Sequence, residues 1–209
     1  MRRYKGYIFD FDGTLFDTYE SLISVYKKGF AAVGEDCTEE DVKTYMRESL
    51  YFTADRRGYE GKTRDTFIKV VNDSLDDEDS LSLIRIYPEV REVLGAIRKE
   101  GAEIGIVSGN KDAHIVEVLK RFGLTSYFSA LAGSTSVKEP KPSAAPINAI
   151  KARWQNVKEK DMVYVGDSLY DPLTAKNAGI DGVLIDRLGE HPDYEGLRIA
   201  DLRELFGKD

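Results

Sequence analysis

The first apolar run of the chain, Tyr7-Ile8-Phe9, ends in two aspartates two residues apart, Asp10 and Asp12, with Gly13-Thr14 directly after them. On an extended strand, residues i and i+2 point to the same side, so both carboxylates project together while Phe11 points away. At ~4 Å and an effective dielectric of about 20, their repulsion is on the order of 4 kcal/mol. A hard divalent cation bound through oxygen offsets such a cost. A solvated turn, where Asp and Gly serve the backbone, would show the same letters. Three further clusters bear on the choice. Ser108-Gly109-Asn110 precedes a helix, and its free N–H groups suit either an anion or a simple capping turn. Val137-Lys138-Glu139-Pro140-Lys141-Pro142 is a stiff loop in which the prolines bracket Lys141, and Lys138 is assigned to solvent. Gly166-Asp167-Ser168-Leu169-Tyr170-Asp171 brings a second pair of acids; Asp171 also suits a helix N-terminus.

The elements that must position these residues alternate along the chain. Residues 4–10, 103–108, 128–133, 162–167 and 182–186 read as short buried strands. Between them lie amphipathic segments, clearest at 88–100, where Val90, Val93, Leu94 and Ile97 share a face and Gly101 follows. Residues 112–122, 142–154 and 171–178 complete the series. This alternation predicts an α/β fold, a Rossmann-like parallel sheet with helices on both faces. In such a sheet ligands bind beyond the carboxyl ends of the strands, where all four clusters fall. One stretch departs from the pattern. Residues 17–81 show helical spacing and no convincing strand, which predicts a small all-helical domain inserted into a core of residues 1–16 and 82–209. Within it, the run Asp76-Asp77-Glu78-Asp79 is expected to be a solvated loop.

Composition narrows the function. A net charge of −7 argues against a nucleic-acid or anionic-membrane surface. With Cys37 as the single cysteine, an intrachain disulfide and a cysteine-rich zinc site are excluded, and a cytoplasmic location is expected. Met1-Arg2-Arg3 runs straight into a strand, so no secretory leader is expected.

In this order and setting, the clusters resemble the four motifs of the haloacid dehalogenase-like (HAD) hydrolase superfamily. Asp10-Phe11-Asp12-Gly13-Thr14 matches the first, Ser108 the second, Lys141-Pro142 the third and the Gly166–Asp171 segment the fourth. The helical insertion is similar to the subclass I cap. Tyr87-Pro88 and Asn177-Ala178-Gly179 are similar to phosphoglycolate phosphatase and β-phosphoglucomutase relatives. The resemblance implies that Asp10 is a nucleophile forming an aspartyl-phosphate and that Asp12 is the general acid and base. It implies Mg2+ as cofactor, held by Asp10, the Asp12 carbonyl and Asp167, with Asp171 in support. Thr14, Ser108, Gly109, Asn110 and Lys141 would bind phosphate. The second acid, Asp12, argues against a dehalogenase, whose halide leaving group needs no proton. The expected reaction is phosphate release from a small phosphorylated metabolite, phosphoglycolate first, by a monomer or homodimer. A sugar-phosphate mutase is the alternative, and an idle phosphometabolite-binding protein a distant third. Met46-Arg47-Glu48-Ser49-Leu50 resembles a cap segment in which an arginine reaches a second phosphate. Arg47 is thus a candidate for specificity, with a solvated helix residue as the other reading.

Overall fold

The structure is a computed structural model and describes residues 2–45 and 50–207. The chain forms two compact units, Met1–Phe16 with Ile86–Asp209, and Asp17–Arg85. In chain order β1 (Gly6–Phe9) and β2 (Phe16–Asp17) precede the helices α1 (Tyr19–Ala32), α2 (Glu39–Tyr45), α3 (Leu50–Arg56), α4 (Gly61–Ser74) and α5 (Glu78–Leu83). β3 (Arg85–Ile86) pairs with β2 where the chain returns. The remainder is α6 (Val90–Lys99), β4 (Glu103–Val107), α7 (Asp112–Arg121), β5 (Ala130–Ala132), α8 (Ala145–Arg153), β6 (Met162–Gly166), α9 (Tyr170–Asn177), β7 (Asp181–Ile185) and β8 (Arg198–Ile199).

The first unit is a Rossmann-like α/β core. Its six-stranded sheet has the order β5-β4-β1-β6-β7-β8, and every neighbouring pair is parallel. From β1 the chain moves outward through β4 and β5, then crosses back to β6 on the opposite side. The connections leaving β1 and β6 therefore diverge, which opens a crevice at their carboxyl ends. Register aligns those ends, since Phe9 lies opposite both Ile106 and Val165. The central strands are continuous apolar runs because helices cover both faces; Tyr7, Ile8, Phe9, Val163, Tyr164 and Val165 are all inaccessible to solvent. Val90, Val93, Leu94 and Ile97 of α6 are buried as one stripe. At ~1.5–3 kcal/mol for each buried aliphatic side chain, that stripe outweighs the weak intrinsic stability of a three-turn helix. Trp154, just past α8, packs in the core cluster with Ile8, Ile147 and Ile150 and donates to Ser129 Oγ at 3.0 Å.

The second unit is all-helical with an aromatic centre of Tyr26, Phe30, Tyr45, Tyr59 and Phe67. The Phe30 and Phe67 rings lie 4.9 Å apart. Arg57 is consumed here: it pairs with Glu35, donates to Tyr45 Oη at 3.2 Å and covers the Phe30 ring at 5.0 Å. The acidic run 76–79 is not a free loop. Asp77 accepts the Ser80 N–H at 2.8 Å, caps α5 and pairs with Lys28 at 2.7 Å. A helix start rich in acids reads as a solvated charge run until its capping bond is seen. The unit accordingly extends to Arg85, beyond the expected limit at 81. Among the described residues, no helix is long and apolar enough to cross a membrane.

Candidate active site

Asp10 follows β1 directly, and its N–H still donates to Val165 O of β6 at 2.8 Å, so the sheet fixes its backbone. The chain then turns sharply. Leu15 and Phe16 N–H groups both reach back to Phe11 O, and Phe11 packs against Phe16 with ring centroids 4.6 Å apart. Gly13 makes the turn possible with φ +67°, and a Cβ there would stand 2.1 Å from Asp167 Oδ2. Any side chain at position 13 would drive the first acidic loop away from the second.

Asp167 follows β6 as Asp10 follows β1. One carboxylate oxygen from each of Asp10, Asp167 and Asp171 lies within 4.8 Å of the others. Lys141 Nζ sits 3.1 Å from Asp10 Oδ1 and 2.7 Å from Asp171 Oδ1. Asp171 is wholly enclosed. It also accepts from Tyr164 Oη at 2.8 Å and from the Ser168 N–H at 2.9 Å. It thus serves both the start of α9 and Lys141. It tucks beneath Gly166, where a Cβ would come within 2.2 Å of it. Asn177 Nδ2 donates to Pro142 O at 2.8 Å and ties the Lys141 loop to the end of α9, while Lys138 is exposed.

Ser108 and Asn110 come from the loop after β4. The Asn110 N–H is directed to Ser108 Oγ at 3.1 Å, and its side-chain amide donates to Asp12 Oδ2 at 2.7 Å. Sequence reading gave Asn110 only a backbone role; the structure adds a side-chain grip on Asp12. The Asp12 carboxylate stands outside the group formed by Asp10, Asp167 and Asp171. Gly109 is exposed beside this loop. Thr14 is fully enclosed, and its hydroxyl has no hydrogen-bond partner in the protein, so solvent does not reach it. Arg47 lies outside the described residues.

Charge in this pocket is unbalanced. Burial pushes the Asp10 carboxyl well above the usual range; Lys141 opposes this, and Asp171, Asp167 and Asp12 add to it. Asp167, though one side stays open, is pushed up to about 7, first by its surroundings and then by Asp171. Burial works against the Lys141 ammonium, but Asp10 and Asp171 outweigh it and hold the charge firmly. One cation for four acids leaves carboxylates that protonate unless further positive charge arrives. Oxygen-only donors in that state fit a hard divalent ion such as Mg2+.

Sequence reading missed Tyr164, a hydroxyl inside an apolar strand, and Arg187. Arg187 follows the last long strand, where its only signal is a charged residue next to the crevice.

The haloacid dehalogenase-like hydrolase model matches residues 7–185. A phosphoglycolate phosphatase of Vibrio parahaemolyticus is 29% identical over 82% of this chain and 78% of its own length. The pyrophosphatase PpaX of Bacillus velezensis is 28% identical over 99% of this chain and 98% of its own. A haloacid dehalogenase-like hydrolase from Streptococcus pneumoniae superposes with a TM-score of 0.83 at 16% identity, covering 97% of each chain. The matched span contains both acid pairs, the Ser108 loop and Lys141, and the chain belongs to the haloacid dehalogenase-like hydrolases.

Proposed function

We propose that this hydrolase is a Mg2+-dependent phosphatase of small phosphorylated metabolites, with phosphoglycolate-like monoesters as the first substrate class. The observation that carries the reading is the pairing of a buried Asp10, 3.1 Å from Lys141, with a second acid, Asp12, held separately by Asn110 at 2.7 Å. A carboxylate nucleophile needs its charge restrained and its position fixed, and an alcohol leaving group needs a proton. Asp10 attacks phosphorus in line, an aspartyl-phosphate forms, and the ester oxygen leaves with the proton from Asp12. Asp12, now a carboxylate, takes a proton from water, which attacks phosphorus and regenerates Asp10. Ser108 and the Gly109 N–H face the phosphoryl oxygens, and Lys141 balances the charge that nucleophile and phosphate share. Asp10, the Asp12 carbonyl and Asp167 are the groups that would hold Mg2+, with Asp171 behind them. Bound there, the ion supplies the positive charge that lets the acids and a dianionic phosphate share one pocket.

The full-length similarity to a pyrophosphatase supports a second substrate class, in which phosphate itself leaves. Phosphate release from phosphoglycolate, pyrophosphate and hexose phosphates, measured at equal Mg2+, separates the readings. Preference for phosphoglycolate is expected. A hexose phosphate converted to its isomer with little phosphate released would replace the phosphatase by a mutase. Arg47→Ala is expected to lower kcat/KM on phosphoglycolate more than on p-nitrophenyl phosphate, which offers no second anion. An equal loss on both would remove Arg47 from substrate recognition.

A further inference from the structure

The acid pocket has a neighbour built on the opposite principle. Arg187 lies beyond β7 with 14% of its side chain exposed, and Glu89, which precedes α6, has 2% exposed. Arg187 Nη1 stands 2.7 Å from Glu89 Oε1, and the guanidinium lies 3.6 Å from the Tyr87 ring centroid. The remaining donors go to backbone: Nε reaches Gly13 O at 3.2 Å and Nη2 reaches Thr14 O at 2.8 Å. Those carbonyls belong to the turn directly after Asp12. A cavity of about 90 Å³ is lined by Gly13, Tyr87, Asp167 and Arg187 among others, so this cluster and the second acidic loop share it.

We infer that Arg187 is a positioning residue for the hydrolytic reaction: its guanidinium fork locks the Gly13–Thr14 turn and thereby sets Asp12 and its carbonyl against Asp167. The inference rests on the phosphatase reading for its kinetic test. The geometry is specific to arginine. A planar fork can satisfy two adjacent carbonyls while its third nitrogen pairs with a buried carboxylate, and an ammonium cannot. Ordinary core packing does not need donors aimed at two successive carbonyls of a turn that already closes on itself through Phe11 and Phe16. The tolerance of a reacting constellation is about 0.5 Å, and a displacement near 1 Å costs roughly 10²-fold in rate. Releasing the Gly13 and Thr14 carbonyls frees the turn directly after Asp12 to shift.

The test compares wild type, Arg187→Lys and Arg187→Met, with p-nitrophenyl phosphate turnover, thermal unfolding and Mn2+ titration followed by electron paramagnetic resonance. Arg187→Met should lower kcat about 100-fold with KM changed less than about threefold, and weaken Mn2+ binding at least about fivefold. Arg187→Lys keeps a charge for Glu89 but loses the fork, and should fall between the two. A purely structural residue gives a different result: lower unfolding temperatures, with kcat per folded molecule and Mn2+ affinity unchanged at a temperature where all three proteins are folded. That result overturns the inference. If wild type binds Mn2+ but hydrolyses no phosphoester, the phosphatase reading fails, while the Mn2+ affinities still decide the role of Arg187.

Discussion

Two largely enclosed cations in the α/β unit have opposite surroundings. Around Lys141 stand Asp10 at 3.1 Å and Asp171 at 2.7 Å, with Asp167 and Asp12 behind them. Around Arg187 stand one carboxylate, two carbonyls and a ring, so its charge is met by a single opposite charge and by backbone acceptors. The first region leaves acids pushed above their ordinary range; the second is neutral overall. A buried pair removed from water is maintained only when its geometry is good and its charges are balanced. The Arg187 region satisfies that rule and fixes backbone. The Lys141 region violates it, and in the proposed reading a bound cation offsets the excess negative charge.

The comparison is broken most severely by removing the nucleophile. Asp10→Asn should fold and lose turnover by a factor of about 10⁴ or more, because in the proposed reading the covalent attack is made by the Asp10 carboxylate. Near-normal kcat in this variant would take Asp10 out of the mechanism. Next in size is the lysine. Lys141→Ala should lower kcat by about 10²–10³-fold, as the loss of one fixed charge at the transferring group does. Lys138→Ala, exposed and away from these acids, should stay within about twofold of wild type. The reverse ranking would mean that the wrong lysine has been assigned.

Stability should separate the regions with opposite signs. Glu89→Ala leaves the Arg187 guanidinium in a buried place without its carboxylate, and a loss of about 3–5 kcal/mol is expected. Asp10→Asn removes one of four crowded acids. In metal-free buffer at pH 8 it should therefore melt above wild type, even though it is inactive. Chemical denaturation of both variants measures the pair of effects. A destabilised Asp10→Asn would show that the acid pocket is already balanced and would undo the contrast.

What was legible in the sequence follows from where information is local. β1 and β6 are unbroken apolar runs ending in acids, so strand, strand end and carboxylate all lie within a few letters. The prolines around Lys141 are local in the same way. Asp77 was misread because an acidic helix start and a solvated acidic loop have one composition, and only the bond to Ser80 tells them apart. β8, two residues long, has no room for a pattern. The Arg187–Glu89 contact joins segments far apart in the chain, and neither residue carries a local mark of its partner. The same is true of Asn110, whose side chain finds Asp12 only because the register places the ends of β4 and β1 side by side.

The smallest expected effect tests the imbalance without altering the chain. Asp167 holds its proton up to about 7 in the folded protein, against about 3.9 when unfolded. Between these values the folded state binds more protons than the unfolded state, so metal-free stability should fall as pH rises from about 4 to about 7, the reverse of an acid stabilised by a salt bridge. Asp10, raised by burial, acts in the same direction. Mg2+ binds the ionised carboxylates, so it must displace protons at pH 5 and far fewer at pH 8. At ten times its half-saturating concentration at pH 8, the ion should stabilise by about 1.4 kcal/mol, or about 3–6 °C for a chain of this size. At pH 5 the same concentration should give less than half that shift. Asp167→Asn should reduce the pH 8 shift, whereas Lys138→Ala should leave it intact. Scanning calorimetry at the two pH values is sufficient. An equal Mg2+ shift at both would mean that protons and the ion do not compete for these carboxylates, and the acid cluster would then lose its claim to be the metal site.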